Sequence, residues 1–393
     1  MKGRSIGIIG LALASVASLA TAQGTAWRPV VMANHGMVAS GHPLASMAGM
    51  RILEKGGNAV DAAVAAWTVQ GLVEPGMTGL GSDAFVMIYL AKSGQVKFIN
   101  ATGPAPGGAT PELYKAKGGI PDAGPLASDV PGALDGIGLA LESYGTFSYA
   151  EAFAPAIEIA KKGFPVSYHL AGQLERRQEK LAAFPSTKAI WFRDGRPLQA
   201  GEIVVQKDYG ATLETIAARG RRVFYEGEIG KALAGFIQSQ GGVLSASDLA
   251  EYEAHEAEPI HINYKGYEVY EAAPNSQGHV LLQALNMLEG FDLKYIGHNK
   301  RAVSPSRDGV FEASFRRSRP LSRRSALRRY DSHRWASVQR VRGRAARPHR
   351  SQSSAERCYS GGQSVRGRDG CGRGAELRIA KRRTRHRASR RSR

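Results

Sequence analysis

Cysteine is nearly missing from this sequence of 393 residues, which contains only Cys358 and Cys371. Residues 1–300 therefore offer no cysteine for a disulfide framework or a thiolate metal site. The histidines of that region form no pair at positions i and i+4, and no H-E-x-x-H motif occurs, so a helical zinc site is not indicated either. We expect no metal site and no cofactor.

Long apolar runs are also missing, apart from one near the N-terminus. There, Lys2 and Arg4 precede an apolar stretch over residues 6–20, and Ala20-Thr21-Ala22 follows as a small-residue cleavage signal. This stretch is shorter than the roughly 20 apolar residues that a membrane-spanning helix needs. The pattern predicts a cleaved signal peptide over residues 1–22, no membrane span, and a periplasmic or secreted location. A buried N-terminal helix is the alternative.

Acidic residues are scarce in one part of the chain only. The formal net charge is +19, but residues 301–393 carry 28 Lys and Arg against 6 Asp and Glu, whereas residues 1–300 carry 25 against 28. A strongly basic protein would suggest a nucleic-acid or anionic-surface partner. Because the body (residues 23–299) is slightly acidic, the basicity belongs to the tail (residues 300–393) alone.

The body interleaves helical and strand patterns without strict βαβ regularity, which predicts a layered α+β domain. From Gly41, two helices are expected, separated by Gly56-Gly57, with Asn58 capping the second and Asp61 in its first turn. A hairpin of AFVMIYLA and QVKFINA follows. Further helices are predicted over residues 133–144, 149–162, 168–184, 209–219 and 227–240, after a Ser245 cap, and over GHVLLQALNMLEGF, with a strand pair turning at Lys265-Gly266.

A glycine-rich loop, GLGSDAF, precedes the first strand and contains Gly79, Gly81 and Asp83. It lacks the third glycine of G-x-G-x-x-G and the lysine of a P-loop, so phosphate binding is disfavoured. The loop is interpreted as structural, with the glycines allowing a tight backbone turn.

Six segments of the body resemble the large-subunit half of the γ-glutamyltransferase family. They cover roughly residues 33–299 and read GMVASGHPLASMAGMRILEKGGNAVDAAVAA, VEPGMTGLGSDAF, ATPELY, SDVPGALDG, GGVLSASDLAEYEAHEAEPIHINYKGYEVYEAAPNSQG and LLQALNMLEGFDL. The most specific part is the combination of GGNAVDAAVAA with the DLAEY…P…YKGYEVY…P.SQG pattern.

The resemblance implies an N-terminal-nucleophile hydrolase with a four-layer αββα fold, of which this chain supplies the large-subunit portion. Family members arise as one precursor that cleaves itself into a heterodimer and exposes a threonine at the start of the small subunit. The freed α-amine then takes the proton of that threonine, whose hydroxyl is otherwise a poor nucleophile. By this resemblance the substrate is a small amide, γ-glutamyl or oxamate-like, and no catalytic residue is expected in this chain.

The resemblance also places two candidate substrate-binding residues, Thr102 and Asn100. In γ-glutamyl-specific members, the segment before AP.AATP carries an arginine that grips the substrate α-carboxylate. The matching text is INATGPAPGGATP, which puts Thr102 at that position. A hydroxyl cannot replace a bidentate guanidinium clamp. The TGLGSDAF segment looks closer to an amidohydrolase-like branch, which includes oxamate-hydrolysing members, than to glutathione-specific enzymes. The identity of the substrate therefore stays open.

The tail departs from the family, whose members continue after GHN with a helix and the signature FADRDRYLGDP. Only 11 of residues 301–393 are Leu, Ile, Val or Phe, too few for a folded core, so the tail reads as disordered and basic. Permitted codons for residues 315–326, read one base later, give FADRDRYLGDP, and the same shift from Lys300 permits SA.YLHLATESLKLAF. We infer a frameshift near Asn299–Lys300.

Residues 385–391 permit Asp-Thr-Val-His-Leu-Val-Val in the shifted frame, which resembles the family's self-cleavage site. The leading hypothesis is therefore a hydrolase or transferase precursor that is truncated, inactive as written and prone to aggregate through uncovered apolar faces. The alternative is a secreted basic protein whose Arg-rich tail binds nucleic acid or anionic surfaces with steep salt dependence.

Overall fold

The computed structural model of the chain describes residues 31–296. These residues fall within the first of two units, residues 1–342, and the second unit, residues 343–393, lies outside the described range. The expected signal peptide over residues 1–22 and the tail over residues 300–393 also lie outside the described residues.

Helices and strands are interleaved along the described residues without strict βαβ regularity. The helices are α1 (Pro43–Glu54), α2 (Ala59–Val73), α3 (Pro111–Ala116), α4 (Ala133–Tyr144), α5 (Tyr149–Lys162), α6 (Tyr168–Arg176), α7 (Gln178–Ala182), α8 (Pro185–Trp191), α9 (Lys207–Arg219), α10 (Arg222–Tyr225), α11 (Glu228–Ser239), α12 (Ala246–Ala250), α13 (Gly278–Leu288) and α14 (Leu293–Ile296). The strands are β1 (Ala84–Leu90), β2 (Gln95–Ala101), β3 (Phe164–Pro165), β4 (Phe192–Arg193), β5 (Arg196–Pro197), β6 (Ile203–Val204), β7 (His255–Ala257), β8 (Ile260–Tyr264) and β9 (Tyr267–Glu271).

The first two helices form where the sequence predicts them. Gly56 follows α1 with a φ of +93°, a conformation that costs glycine least. Asn58 caps α2, because its side chain accepts from the Val60 and Asp61 amides while the Asp61 carboxylate accepts from the Asn58 amide. Helix α2 is buried around most of its surface, as expected for an alanine-rich helix between other elements.

Strands β1 and β2 form an antiparallel hairpin in which Met87 lies opposite Phe98, and β7 adds antiparallel to the other edge of β2. Gly94, with a φ of +70°, turns the chain between the two strands. Among the described residues β1 is therefore one edge of a three-stranded sheet, in the order β1-β2-β7.

The two faces of this sheet carry different layers. Helix α4 packs on the face of Ile99 and Ala101, so closely that a Cβ atom on Gly136 would lie 2.1 Å from the Ala101 Cβ. On the opposite face, Phe98 joins a buried cluster with residues of the β8–β9 hairpin and with Leu282 of α13. The order helix α4, sheet, hairpin, helix α13 gives four layers, helix–sheet–sheet–helix.

One apolar strip of the sheet remains uncovered by the described residues. We call Phe85, Met87 and Tyr89 the β1 apolar row; their exposed fractions are 45%, 41% and 67%. The row lies on the same face as Phe98, whose ring centroid is 6.0 Å from that of Phe85. It therefore extends the buried cluster around Phe98 outward to solvent.

Two details differ from the sequence-based expectation. The single helix expected over residues 168–184 is divided into α6 and α7, because Arg177, with φ −117° and ψ 14°, leaves helical geometry. The two-residue strand pairs β3–β6 and β4–β5 are too short to show an alternating pattern in the sequence.

Candidate functional site

The candidate site lies at the end of β2, where the two residues singled out from the sequence are in contact. The Thr102 hydroxyl donates to Asn100 Oδ1 at 2.8 Å, and the Thr102 amide donates to the same oxygen at 3.2 Å. These bonds fix the side chain of Asn100 over the backbone that leaves the strand. Asn100 and Thr102 are thus in direct contact, and their contact with substrate stays a prediction.

A third side chain, Asn275, closes the arrangement into a ring. Asn100 Nδ2 donates to Asn275 Oδ1 at 3.1 Å, and Asn275 Nδ2 donates to the Thr102 hydroxyl in a short hydrogen bond. Asn275 lies in the loop before α13, within the APNSQG text of the family resemblance. The motif marked that loop, but nothing in the sequence assigned this residue a partner 173 positions away.

We call these three residues the amide–hydroxyl ring. Asn100 and Thr102 are half-buried and Asn275 is exposed, so the ring is open to solvent on one side. All three side chains are uncharged, and each already bonds to the other two. The ring can present hydrogen-bond donors and acceptors to a small polar molecule, but it supplies no positive charge to hold a carboxylate.

The glycine-rich loop packs against α2 through close backbone contact. A Cβ atom on Gly71 of α2 would lie 2.9 Å from Gly79 Cα, so the helix and the loop touch at two glycines. The turn itself is closed by the Ser82 amide and hydroxyl, which donate to the Gly79 carbonyl at 3.2 and 2.7 Å. Neither Gly79 nor Gly81 takes a positive φ. The turn is present, but the close approach requires glycine at Gly71 rather than at Gly79, where an added Cβ atom would lie 3.9 Å from the Gly71 carbonyl oxygen.

Asp83 links this loop to the end of β2. Its Oδ1 accepts from the Gly103 amide at 3.0 Å, directly after Thr102. Burial raises the pKa of Asp83, and the neighbouring Asp129 carboxylate raises it further, against the lowering effect of the Gly103 amide. The carboxylate thus acts as a brace that sets the backbone on which Thr102 is carried.

A second brace comes from the segment that leads into α4. The amides of Gly132 and Ala133 donate to the Ser82 carbonyl at 3.1 and 2.7 Å. A Cβ atom on Gly103 would lie only 1.5 Å from the Val130 carbonyl oxygen. The end of β2 therefore meets the segment before α4 with no room for a side chain at Gly103, and the glycine-rich loop joins them through the Ser82 carbonyl.

Behind this convergence, a buried carboxylate anchors α4. Asp135 is fully buried; its Oδ1 lies 2.6 Å from Arg221 Nη1, and its Oδ2 accepts from the Ala254 amide at 2.7 Å. The same Arg221 nitrogen donates to the Asp135 carbonyl at 3.1 Å, so the side-chain contact is an ion pair more than an aligned hydrogen bond. Tyr225 adds a bond by donating to the Pro131 carbonyl. These groups do not touch the amide–hydroxyl ring.

Other features of the described residues do not suggest a second functional site. Residues 31–296 contain no group of three or more His, Cys, Asp or Glu side chains arranged to hold a metal ion. Over the same range no helix is long and apolar enough to cross a bilayer. Two shallow grooves of about 230 and 380 Å³ border α1, meet at Leu44 and share no residue with the candidate site.

Comparison with known proteins supports the family suggested by the sequence. The profile of the Gamma-glutamyltranspeptidase family matches residues 45–314. The Glutathione hydrolase-like YwrD proenzyme of Bacillus subtilis is 41% identical over 263 residues, which are 67% of this chain and 50% of that protein. The chain thus spans about half the length of the curated relatives it matches.

Solved structures agree with the layer order. The Helicobacter pylori gamma-glutamyltranspeptidase superposes with a TM-score of 0.70 at 31% identity, over 73% of this chain and 84% of that chain. A cephalosporin acylase from Bacillus halodurans gives the same TM-score at 34% identity, over 75% of this chain and 56% of that chain. The expected N-terminal-nucleophile hydrolase fold, in its large-subunit portion, is confirmed, and the chain belongs to the gamma-glutamyltranspeptidase family.

Proposed function

We propose that this chain is the large-subunit part of a γ-glutamyltransferase-family amide hydrolase or transferase, with its substrate-binding surface at the amide–hydroxyl ring. The observation that carries the proposal is the position of the ring. It lies where the family resemblance puts the substrate carboxylate grip, on backbone held by Asp83 and by the start of α4. Such bracing is what a binding group needs to keep its geometry.

The substrate proposed is a small amide that the enzyme recognises by neutral hydrogen bonds. Thr102 takes the position of the family arginine, and its hydroxyl is bonded only within the ring among the described residues. A substrate carboxylate there would lose a charge-assisted bidentate contact. Amides whose acyl group has no α-amino acid head and no carboxylate at this position are therefore favoured over γ-glutamyl compounds such as glutathione.

The chain as written is proposed to be inactive, because the threonine nucleophile, its amine base and the oxyanion donors belong to the small subunit in this family. The reading of the tail as a frameshifted continuation supports this proposal. The frame is tested by sequencing the gene from codon 300. An open shifted frame with a threonine self-cleavage site is expected, and stop codons in that frame would contradict the frameshift.

Activity provides the functional test. The frame-restored precursor is expected to cleave itself into two polypeptides and to hydrolyse a γ-glutamyl anilide more slowly than an acyl anilide that lacks the α-amino and α-carboxylate groups. The chain of 393 residues should do neither. A restored precursor with alanine at the shifted-frame threonine near His386 is the matched control. Turnover or self-cleavage by the chain as written would refute the proposed inactivity.

Secretion is a separate proposal that rests on the N-terminal pattern. Export to the periplasm or medium with loss of residues 1–22 is expected, and cell fractionation with N-terminal sequencing measures both. If the Arg-rich tail instead binds nucleic acid, the purified chain should bind DNA with a steep dependence on salt, and a chain ending at residue 299 should not.

A further inference from the structure

We propose that His279 is a positioning residue for the candidate site, because its neutral imidazole keeps the first turn of α13 closed and protonation of the imidazole releases the loop that carries Asn275. The release is a property of the chain as it exists. Its effect on substrate binding rests on the proposed function of the amide–hydroxyl ring.

The surroundings of His279 are the first observation. The residue is the second of α13 and is fully buried. Among the described residues, neither nitrogen of its ring has a hydrogen-bond partner. Because both nitrogens are already buried, a further polypeptide cannot reach them without a rearrangement of the turn. Burying unpaired polar atoms costs free energy, and burying a charged imidazole there would cost far more.

The loop before α13 connects His279 to the ring. The Ser276 hydroxyl donates to the Ala272 carbonyl at 2.6 Å and accepts from the Gly278 amide at 3.1 Å. One side chain therefore ties the end of β9 to the first turn of α13. The Ser276 carbonyl also lies close to the His279 imidazole, without an aligned hydrogen bond. Since Asn275 directly precedes Ser276, opening of this turn moves the residue that closes the ring.

The charges on α13 and α14 lie away from this turn. Helix α13 has no acidic residue in its first turn, and Glu289 follows its last residue. Helix α14, which carries Lys294, meets α13 at that other end, where Leu293 packs beside Leu288. The dipole of α13 disfavours a cation in the first turn. The helix itself therefore favours a neutral imidazole.

The β8–β9 hairpin, which packs against α13, places one carboxylate near the turn. A Cβ atom on Gly278 would lie 3.0 Å from Glu271 Oε2 of β9. On β8, His261 lies on the exposed face and contacts Glu268 of β9 at 2.9 Å, so this pair points away from the buried cluster. Glu271 is thus the charged group of the hairpin that could favour protonation of His279.

Burial dominates over these groups. It lowers the pKa of His279 below the usual value of about 6.5, although the Ser276 carbonyl acts in the opposite direction. An open turn exposes the imidazole to water and restores the usual pKa. Below about pH 6.5 the open form therefore binds a proton that the closed form does not, and the equilibrium shifts toward opening as the pH falls.

Hydrogen exchange of the full chain, measured by mass spectrometry and corrected for the intrinsic effect of pH on exchange, reports the opening. In the wild type, the protection of residues 275–282 should fall about threefold to tenfold between pH 7 and pH 5.5, because uptake of one proton allows at most about tenfold per pH unit. Helix α5 should change less. His279→Gln, which stays neutral, should remove the difference between the two regions.

His169→Gln is the matched control, because His169 is also the second residue of its helix, α6, but is exposed. It should keep the wild-type pH dependence. If circular dichroism shows that His279→Gln does not fold, His279→Leu replaces it, and the wild-type profile is a test that needs no variant. No regional difference in the wild type, a difference that persists in His279→Gln, or one that disappears in His169→Gln would each overturn the proposal.

The frame-restored enzyme separates this proposal from the proposed function. Between pH 7 and pH 5.5, KM for a small amide should rise more in the wild type than in His279→Gln, because only the wild type releases Asn275. If the exchange results are as expected but the ratio of the two KM values stays constant, the release is supported and the proposed role of the ring in substrate binding is contradicted.

Discussion

Two polar networks in this protein join segments that are distant in the sequence, and they differ in burial and charge. One is centred on Asp61, which is fully buried and accepts from the amides of Asn58, Thr146 and Phe147 and from the Thr146 hydroxyl. The other is the amide–hydroxyl ring, which is half-exposed and uncharged. The first holds α2 against the loop between α4 and α5, and the second lies at the candidate site.

Both networks join distant segments by hydrogen bonds, but their different burial and charge give them different roles, one in stability and one in binding. A buried carboxylate with four donors has no alternative partner in water, so the fold depends on every bond. Solvent can replace the bonds of a half-exposed neutral ring at small cost, and a ligand can do the same. The comparison therefore predicts that mutations at Asp61 act on stability, whereas mutations in the ring act on binding.

The largest effect is expected for Asp61→Ala. The variant leaves three amides and one hydroxyl without their acceptor in a buried place, which should lower the free energy of unfolding by about 3–5 kcal/mol, as removal of one partner of a buried charged group does. Urea denaturation followed by circular dichroism measures the change. Asp122→Ala, in an exposed loop, is the control and should change stability by less than about 0.5 kcal/mol. If Asp61→Ala lowered the free energy of unfolding no more than Asp122→Ala, the contrast between the two networks would not hold.

Acid should remove the Asp61 contribution without a mutation. Burial raises the pKa of Asp61, but the hydrogen bonds from Thr146, Phe147 and Asn58 outweigh it, so the folded-state pKa is lowered. The stabilisation is therefore complete well above the unfolded pKa of about 3.9 and disappears as the pH falls through the folded value. The stability gap between wild type and Asp61→Asn should be constant near pH 7 and shrink toward pH 3. A stability gap that widens as the pH falls would contradict the lowered folded-state pKa of Asp61.

Two glycines test how much backbone packing near the ring contributes to stability. Gly103 follows Thr102 directly, and Gly81 lies in the glycine-rich loop. Gly103→Ala puts a methyl group where the Val130 carbonyl oxygen is only 1.5 Å away, so backbone must move. We expect a loss of about 1–3 kcal/mol, typical of overpacking. Gly81→Ala, in the same region, meets open space and should change stability by less than about 0.5 kcal/mol. Equal melting temperatures for the two variants would show that the contact at Gly103 relaxes freely.

Local features of the fold could be predicted from the sequence, because their causes lie within a few residues. The Asn58–Asp61 capping box, the turn at Lys265–Gly266 and the bounds of α4 and α5 are of this kind. The break at Arg177 was missed, since no proline or glycine marks it. The family resemblance, rather than periodicity, supplied the four-layer arrangement.

Long-range contacts could not be predicted in the same way. Asp61 was recognised as a residue of the first turn of α2, but its bonds to Thr146 and Phe147 span 85 and 86 positions. Asn275 likewise reaches β2 across 175 positions. A capping motif specifies its own helix, and a single sequence contains no signal for the distant donors that share its carboxylate.

The smallest stability effect, and the most informative for function, is expected in the ring. Thr102→Val keeps the shape but loses the hydroxyl, and because Asn100 and Asn275 can bond to water instead, the free energy of unfolding should fall by only about 0.5–1 kcal/mol. In the frame-restored enzyme the same variant should raise KM for a small amide severalfold with little change in kcat, since the ring binds but does not react. Thr102→Arg should instead favour γ-glutamyl substrates, because it supplies the missing cation. If Thr102→Val leaves KM unchanged while stability falls as far as in Asp61→Ala, the ring is a structural element like the Asp61 network, and the contrast between the two disappears.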